Sequence, residues 1–379
     1  VPKHFENTPA IGPGGTYTGR TYGEYEKEAQ RFVWKLFEVY KEGDGAGRPF
    51  FFPKPIVHIT EKFFRTEGWQ DFLYHICDVA SDKGNTYFVF DRGETAKISE
   101  CCRLSFKLEE RDLKDAKEPW RMRYCALQNV SLNLPRIAYM AKGDDTRLFD
   151  LLTDRFVLAV KAHKEKRSFL EKLLALGEDG PLSLLTMKQD DMPYLRFDLA
   201  SHLIGMVGLN EMVQIHTGEE LHSSTQALKF GLKIISHMNL LTEKIKRNEK
   251  IKVVLEQTPA ESTSYRFARL DLRYFSPLSG RVVKGDIASG EIYYTNSTHL
   301  NVHAPMNPIE RVTNEGKFHP LIEAGSISHI WLGEAQPTKE AIADFVIKTF
   351  RNTRNDQIAF SPEFTTCNRC HRTSRGLMD

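Results

Sequence analysis

Long hydrophobic runs are missing from this 379-residue chain. No apolar stretch approaches the ~20 residues that a membrane-crossing helix needs, and no basic-then-apolar secretion signal opens it. Charge of one sign is missing as well. With 52 Lys and Arg against 50 Asp and Glu, the net charge is +2, which offers no polyelectrolyte surface for wrapping nucleic acid. Cysteine is scarce: six residues, at positions 77, 101, 102, 125, 367 and 370. In a chain of this length they do not form a disulfide framework, and a reducing cytoplasm is the expected home. Walker and dinucleotide-binding glycine spacings are lacking, so the glycine-rich Asn7–Gly15 reads as a structural turn rather than a phosphate cradle. No internal repeat is present.

What is there has the balance of a soluble globular protein, 41% hydrophobic and 27% charged, long enough for one large or two ordinary domains. Helical spacing of Phe32, Leu36, Phe37 and Tyr40 predicts an amphipathic helix over Tyr22–Tyr40. Phe50–Ile59 reads as a short buried strand entered through prolines, with His58 a hydrogen-bonded core histidine. A helix over Trp69–Ala80 and an apolar strand over Thr86–Phe90 follow. Strand, helix and strand with few polar interruptions predict parallel strands buried on both faces. Further helices are expected over 146–176, ending at Gly177, over Leu199–Val213, over Leu221–Glu243 with Glu219 and Glu220 at its positive end, and over Thr338–Thr349 with Thr338 as N-cap. Ile251–Glu256 and Ile327–Gly333 read as strands.

Chemistry gathers in three places. Glu100-Cys101-Cys102-Arg103-Leu104 sets two thiols side by side. On an extended chain the two cannot face one way, so at most one enters a given site. A charged, non-periodic segment, Glu109–Glu118, leads to a third thiol, Cys125, and to the alternating Val130-Ser131-Leu132-Asn133-Leu134, stopped by Pro135. Buried structural thiols are the plainer reading and a loop-borne redox or radical thiol the sharper one. The second place is Glu256, at the strand edge where α/β proteins put ligands. Thr258-Pro259-Ala260-Glu261-Ser262-Thr263-Ser264 then opens a helix whose free amides and hydroxyls can hold an anion or simply cap it. The third is Cys367-Asn368-Arg369-Cys370-His371, half of a zinc knuckle or a redox Cys-x-x-Cys.

Taken together with Phe5–Ala10, Asn133-Leu134-Pro135-Arg136-Ile137-Ala138 and Ile215–Gly218, these motifs run through most of the chain in one order. In that order the sequence resembles the large subunit of anaerobic (class III, glycyl-radical) ribonucleotide reductases. The resemblance implies a ten-stranded α/β barrel, of which residues 1–360 would form part. Its finger loop would lie near 92–125, and a C-terminal zinc region would begin at 361–379. It implies reduction of ribonucleoside triphosphates for DNA precursor synthesis. Cys102, which directly precedes Arg103, or Cys101 would be the thiyl radical that takes hydrogen from ribose C3′. Glu256 would be the general base for the 3′-hydroxyl. Thr258, Ala260, Glu261, Ser262, Thr263 and Ser264 would hold the triphosphate, and Asn-Leu-Pro-Arg-Ile-Ala would be the strand after the finger loop.

Cys367 and Cys370 would supply half of a structural zinc site. A glycyl radical outside this chain would be made by an S-adenosylmethionine- and iron–sulfur-dependent activating enzyme. ATP and deoxynucleotide effectors and a homodimer are also implied. The family's N-terminal ATP-cone, first half-barrel and glycyl-radical strand are not in the sequence, so it is expected to be a large segment of the enzyme. Tyr124-Cys125-Ala126, upstream of the Asn-Leu-Pro motif, lacks the Asn expected of formate users. That favours a thioredoxin- or glutaredoxin-like reductant with Cys125 or Cys101 as relay. The alternatives are a glycyl-radical enzyme of the pyruvate formate-lyase or diol-dehydratase kind, and a catalytically silent nucleotide-binding or zinc-ribbon protein.

Overall fold

The computed structural model describes residues 5–93, 97–99, 104–107, 123–188, 192–249 and 251–376. Two compact units emerge, one from Val1–Met122 with Ile327–Asp379, the other from Arg123–Ser326. Cys101 and Cys102 lie outside the described residues.

The first unit is built on a mixed four-stranded sheet in the order Ser328–Gly333, Gln357–Pro362, Tyr87–Phe90, Ile56–Ile59. Ile56–Ile59 and Tyr87–Phe90 run parallel, as expected of a strand–helix–strand unit, with the helix Trp69–Lys83 between them. The outer pair is also parallel, and the two pairs meet antiparallel between Gln357–Pro362 and Tyr87–Phe90. Tyr87–Phe90 is buried along its length, and Phe88 packs edge-to-face on Phe360, ring centroids 6.1 Å apart. The strand expected over Phe50–Ile59 is shorter, Ile56–Ile59, because Pro53 and Pro55 have no amide proton to donate to a ladder. Thr338 caps the helix Lys339–Asn352 by accepting from the amide of Ala341.

The second unit holds a three-stranded parallel sheet, Cys125–Asn133, Ala200–Val207 and Lys252–Gln257, with Ala200–Val207 in the middle. Side chains alternate between its faces. Leu132, Ile204, Met206, Val253 and Leu255 point to one side, where residues of the helices Asp145–Leu174 and Thr225–Asn248 close an apolar core. Asn129, Ser131, Gly205 and Glu256 belong to the other face, with Ser131 beside Gly205 and Gly205 beside Glu256 in register. Parallel sheets are ordinarily apolar on both faces, so the polar side needs a reason.

Three expectations are corrected here. Leu199–Val213 is not one helix: it is the buried strand Ala200–Val207, then the helix Leu209–Thr217. The break is Gly208 at φ 80°, where a Cβ would also stand 2.5 Å from Pro135 Cγ. An unbroken apolar run has no period to separate buried strand from buried helix. The strand ahead of the proline ends at Asn133, and Leu134–Ala141 is a helix. Asn133 caps it, its Oδ1 accepting from the amide of Arg136 at 3.1 Å, and Pro135 lies in the first turn, where its missing amide proton costs nothing. The helix expected from Leu221 starts at Thr225, capped by Ser224. Glu220 instead pairs with Lys284 at 2.5 Å.

A buried histidine pair gives this unit an acid limit. His163 Nε2 donates to the carbonyl of Leu203 at 2.8 Å and His202 Nδ1 to that of Lys252 at 3.2 Å, the rings meeting edge-to-face. His163 Nδ1 and His202 Nε2 are buried without a partner among the described residues. Burial pushes His202 down from 6.5 to about 4. A histidine lowered in the fold stabilises it fully above its unfolded value and loses that stability as pH falls from 6.5 toward 4. Stability is therefore expected to drop by about 2–3 kcal/mol between pH 7 and 4.5 from this residue alone. Urea midpoints at the two pH values test this, and His202→Gln is expected to flatten the slope.

Candidate active site

The polar face converges on Gly205. A Cβ there would lie 1.7 Å from Thr258 Oγ1, 2.7 Å from Asn129 Oδ1 and 3.0 Å from Ser131 Oγ. Only a residue without a side chain lets the flanking polar groups close over the middle strand. Ser131 Oγ lies 3.2 Å from both Asn129 Oδ1 and Thr258 Oγ1. Asn129 Nδ2 donates to Glu256 Oε2. Glu256 and Thr258 are 5% and 7% exposed, so the carboxylate is held near the carboxyl edge of the sheet, largely screened from bulk water. An amide, two hydroxyls and a carboxylate over one glycine can bind and orient a polyhydroxyl ligand and take a proton from it.

A second layer fixes this geometry. Asp271, fully buried on the helix Glu261–Phe275, accepts from Asn133 Nδ2 at 3.0 Å, Arg136 Nε at 2.7 Å and the Tyr294 hydroxyl at 3.1 Å. It ties the end of the first strand, the first turn of the helix after it and the helix that follows Glu256. Asp271→Ala would strand Arg136 and unhook all three. A loss of about 3–5 kcal/mol is expected, measurable by chemical denaturation, with Asp271→Asn losing less. Glu211 backs the site in the same way. Buried and pushed up by burial, it accepts from the amide and hydroxyl of Thr295 at 3.0 and 2.6 Å.

The residues expected to hold a phosphate divide. The helix starts at Glu261, and Ala260 caps it without a side-chain bond, so its first amides are not taken by a cap and the positive end of the dipole is available. Glu261 and Ser262 are exposed and Thr263 is half-buried. Ser264 is turned inward: its hydroxyl donates to the carbonyl of Tyr294 and accepts from that residue's amide. Thr258 faces Ser131. Cys125 pairs with Ala200, five register positions from the Gly205–Glu256 pair, or roughly 17 Å along the strands. Cys125 and Glu256 are thus not brought together. Cys367 and Cys370 lie exposed on the turn between the strands Phe364–Thr366 and Thr373–Arg375. Hydrogen bonds from the amides of Cys370 and Arg369 pull the Cys367 thiol below its usual range. Among the described residues no group of three or more His, Cys, Asp or Glu is placed to hold a metal ion.

Asn129, Gly205 and Asp271 escape a reading by motif. Asn129 sits four residues before Asn133, beyond a comparison centred on Tyr124–Ala126. Gly205 hides in an apolar run. Asp271 has partners 135 and 138 positions away, and nothing local marks it.

A sequence model described as "Anaerobic ribonucleoside-triphosphate reductase" matches residues 6–379. Over 222 residues the chain is 32% identical to the anaerobic ribonucleoside-triphosphate reductase of Salmonella typhimurium, covering 57% of this chain and 30% of that protein. The enzyme of the same name from Escherichia coli is 31% identical over an equal span. A crystal structure of the anaerobic ribonucleotide reductase from Thermotoga maritima, with MES in its active site, superposes with a TM-score of 0.75 at 17% identity, over 99% of this chain and 58% of that one. A glycyl radical enzyme from Archaeoglobus fulgidus shares the fold more loosely, TM-score 0.53 at 12% identity, over 93% of this chain and 50% of that one. The sequence thus spans about a third of its curated relatives and somewhat over half of the structural ones. With the family model matching almost the whole chain and the fold agreeing, this chain belongs to the anaerobic ribonucleoside-triphosphate reductase family.

Proposed function

We propose that the polar sheet face is the substrate side of a ribonucleoside-triphosphate reductase, and that the protein containing this chain makes deoxyribonucleoside triphosphates by radical chemistry. The observation that carries this is the buried Glu256 held by Asn129 above Gly205, in a chain of this family. In this reading Cys102, or Cys101, as a thiyl radical removes hydrogen from ribose C3′. Glu256 takes the 3′-hydroxyl proton and passes it on to the 2′-hydroxyl, which leaves as water, so that the net change moves one proton from the 3′ to the 2′ oxygen, and Asn129 and Ser131 orient the sugar. The amides of Glu261, Ser262 and Thr263 face the triphosphate. Ser264, engaged with Tyr294, contributes by holding the helix rather than by touching phosphate.

The ten-stranded barrel is proposed for the intact enzyme, whose further strands would complete the sheets seen here. A glycyl radical supplied by a radical-S-adenosylmethionine activating enzyme would generate the thiyl group. ATP and deoxynucleotide effectors and a homodimer belong to the same reading, as does a cytoplasmic location. Among the described residues no helix is long and apolar enough to cross a membrane. Zinc fits the tail: two thiols on one turn, one of them lowered by hydrogen bonds from backbone amides, are the donors for half of a tetrahedral site. When bound, zinc would cross-link that turn to two further ligands.

Two electrons must also arrive from a reductant. A redoxin-type dithiol protein, relayed by Cys101 or Cys125, is proposed. Asn129, however, removes the ground on which Tyr124–Ala126 disfavoured formate. The test is anaerobic incubation of the activated, intact protein with labelled ribonucleoside triphosphate, with formate or reduced thioredoxin in turn. Deoxynucleoside triphosphate is the expected product. A glycyl radical without deoxynucleotide would favour a chemistry of the pyruvate formate-lyase or diol-dehydratase kind.

A further inference from the structure

The first unit carries a three-membered hydrogen-bonded chain. His58 stands near the carboxyl end of Ile56–Ile59 and Asp91 just past the end of Tyr87–Phe90, so the parallel register of these strands sets the two side by side. Asp91 Oδ2 lies 2.7 Å from His58 Nδ1, and Ser99 Oγ lies 3.1 Å from His58 Nε2. The expectation of an ordinary core histidine is corrected, since His58 is half-buried, 29% exposed at its side chain. With Asp91 and Lys97 it lines a groove of about 1920 Å³.

Ser99 ends the strand Lys97–Ser99, which pairs antiparallel with Ser105–Lys107, Ser99 opposite Ser105. Residues 100–104, which include Cys101 and Cys102, join these two strands. Lys97 and Ser99 point to the same face of their strand and both are fastened. Lys97 Nζ binds Asp356 Oδ1 at 2.8 Å, and Asp356 accepts the Phe90 amide through its carbonyl. Arg92 anchors the approach, donating to the carbonyls of Phe350, Asn355 and Thr349.

We propose that Asp91, His58 and Ser99 form a relay that positions the strand Lys97–Ser99, which ends two residues ahead of Cys101 in the sequence, with His58 as the positioning residue. A carboxylate can only accept, so where the ring carries a single proton Asp91 holds it on Nδ1. Nε2 then accepts from the Ser99 hydroxyl, whose lone pairs stay turned away from the ring. The logic is that of a carboxylate selecting the tautomer of a catalytic histidine, used here to hold a strand. The significance of fixing Lys97–Ser99 rests on the proposed thiyl role of the cysteines that follow it, but the relay itself does not.

The test therefore needs no turnover. In the full chain labelled with ¹⁵N-histidine, His58 is expected as the Nδ1–H tautomer and Asp91→Asn as the Nε2–H tautomer, because the amide then donates. Iodoacetamide labelling of Cys101 and Cys102, followed by mass spectrometry with buried Cys77 as reference, is expected to change about fivefold in His58→Leu, the worth of one hydrogen bond. His58→Gln, which can both donate and accept, should restore the rate. If His58→Leu also opens Cys77, Ser99→Ala removes only the last link and is expected to give the same change at Cys101 and Cys102. An Nε2–H tautomer in the wild type overturns the relay. So do unchanged rates at both cysteines in His58→Leu, or in Ser99→Ala where Cys77 has opened. A reductase reading that failed in the deoxynucleotide assay would leave these outcomes untouched.

Discussion

Glu256→Gln in the intact enzyme is expected to lower deoxynucleotide formation by about 10²–10⁴-fold, the usual worth of a general base, and to leave the fold standing. The glutamine keeps the volume and one carbonyl oxygen, which can turn toward Asn129 Nδ2 and preserve the bond that now reaches Glu256 Oε2. What it loses is basicity. Only the step in which the 3′-hydroxyl is deprotonated should slow, so kcat is expected to fall with KM little changed. Far-ultraviolet circular dichroism and the urea midpoint serve as controls. Activity within twofold of wild type would take the proton-accepting role away from Glu256.

Gly205→Ala carries the second large effect, by a different route. Its methyl would overlap Thr258 Oγ1 at 1.7 Å, and Thr258 cannot simply swing aside because Ser131 holds its hydroxyl and Ser297 binds its carbonyl at 3.1 Å. Overpacking of this kind costs about 1–3 kcal/mol. The loss of turnover should be larger than that, since displacing groups around the sugar by ~1 Å can cost about 10²-fold. Thr258→Ala in the same chain removes the clashing oxygen. Asn129 Oδ1 would still stand 2.7 Å from the new methyl, so the double variant is expected to recover part of the stability and none of the turnover, a non-additivity that separates steric strain from site geometry.

How much of this was legible in the sequence depends on the range of the interaction. The strands at Ile56–Ile59, Tyr87–Phe90 and Lys252–Gln257 were visible because each is a short apolar run bounded by breakers. Thr338 and the helix it caps were visible because capping is local. The Ala200–Val207 strand was not: its neighbours bury it on all sides, and full burial erases the alternation that marks a half-exposed strand. Glu256 could be singled out as a carboxylate at a strand end. Its partner Asn129 comes from 127 residues away, and only strand register supplies it. Ser264 shows the converse, a hydroxyl well placed in sequence for phosphate that tertiary structure spends on the Tyr294 backbone. His58 read as a core residue because Val57 and Ile59 flank it, yet successive residues of a strand face opposite sides, and on its side His58 meets Asp91 and Ser99.

The central claim is that the polar sheet face receives the substrate, and the most direct measurement is a crystal structure of the intact protein with a ribonucleoside triphosphate bound. The account predicts the ribose above Gly205, its hydroxyls within hydrogen-bonding reach of Glu256 and Asn129, and the phosphates at the amides that open Glu261–Phe275. A nucleotide seated with its phosphates over Gly205, or with its sugar away from Glu256, would contradict it.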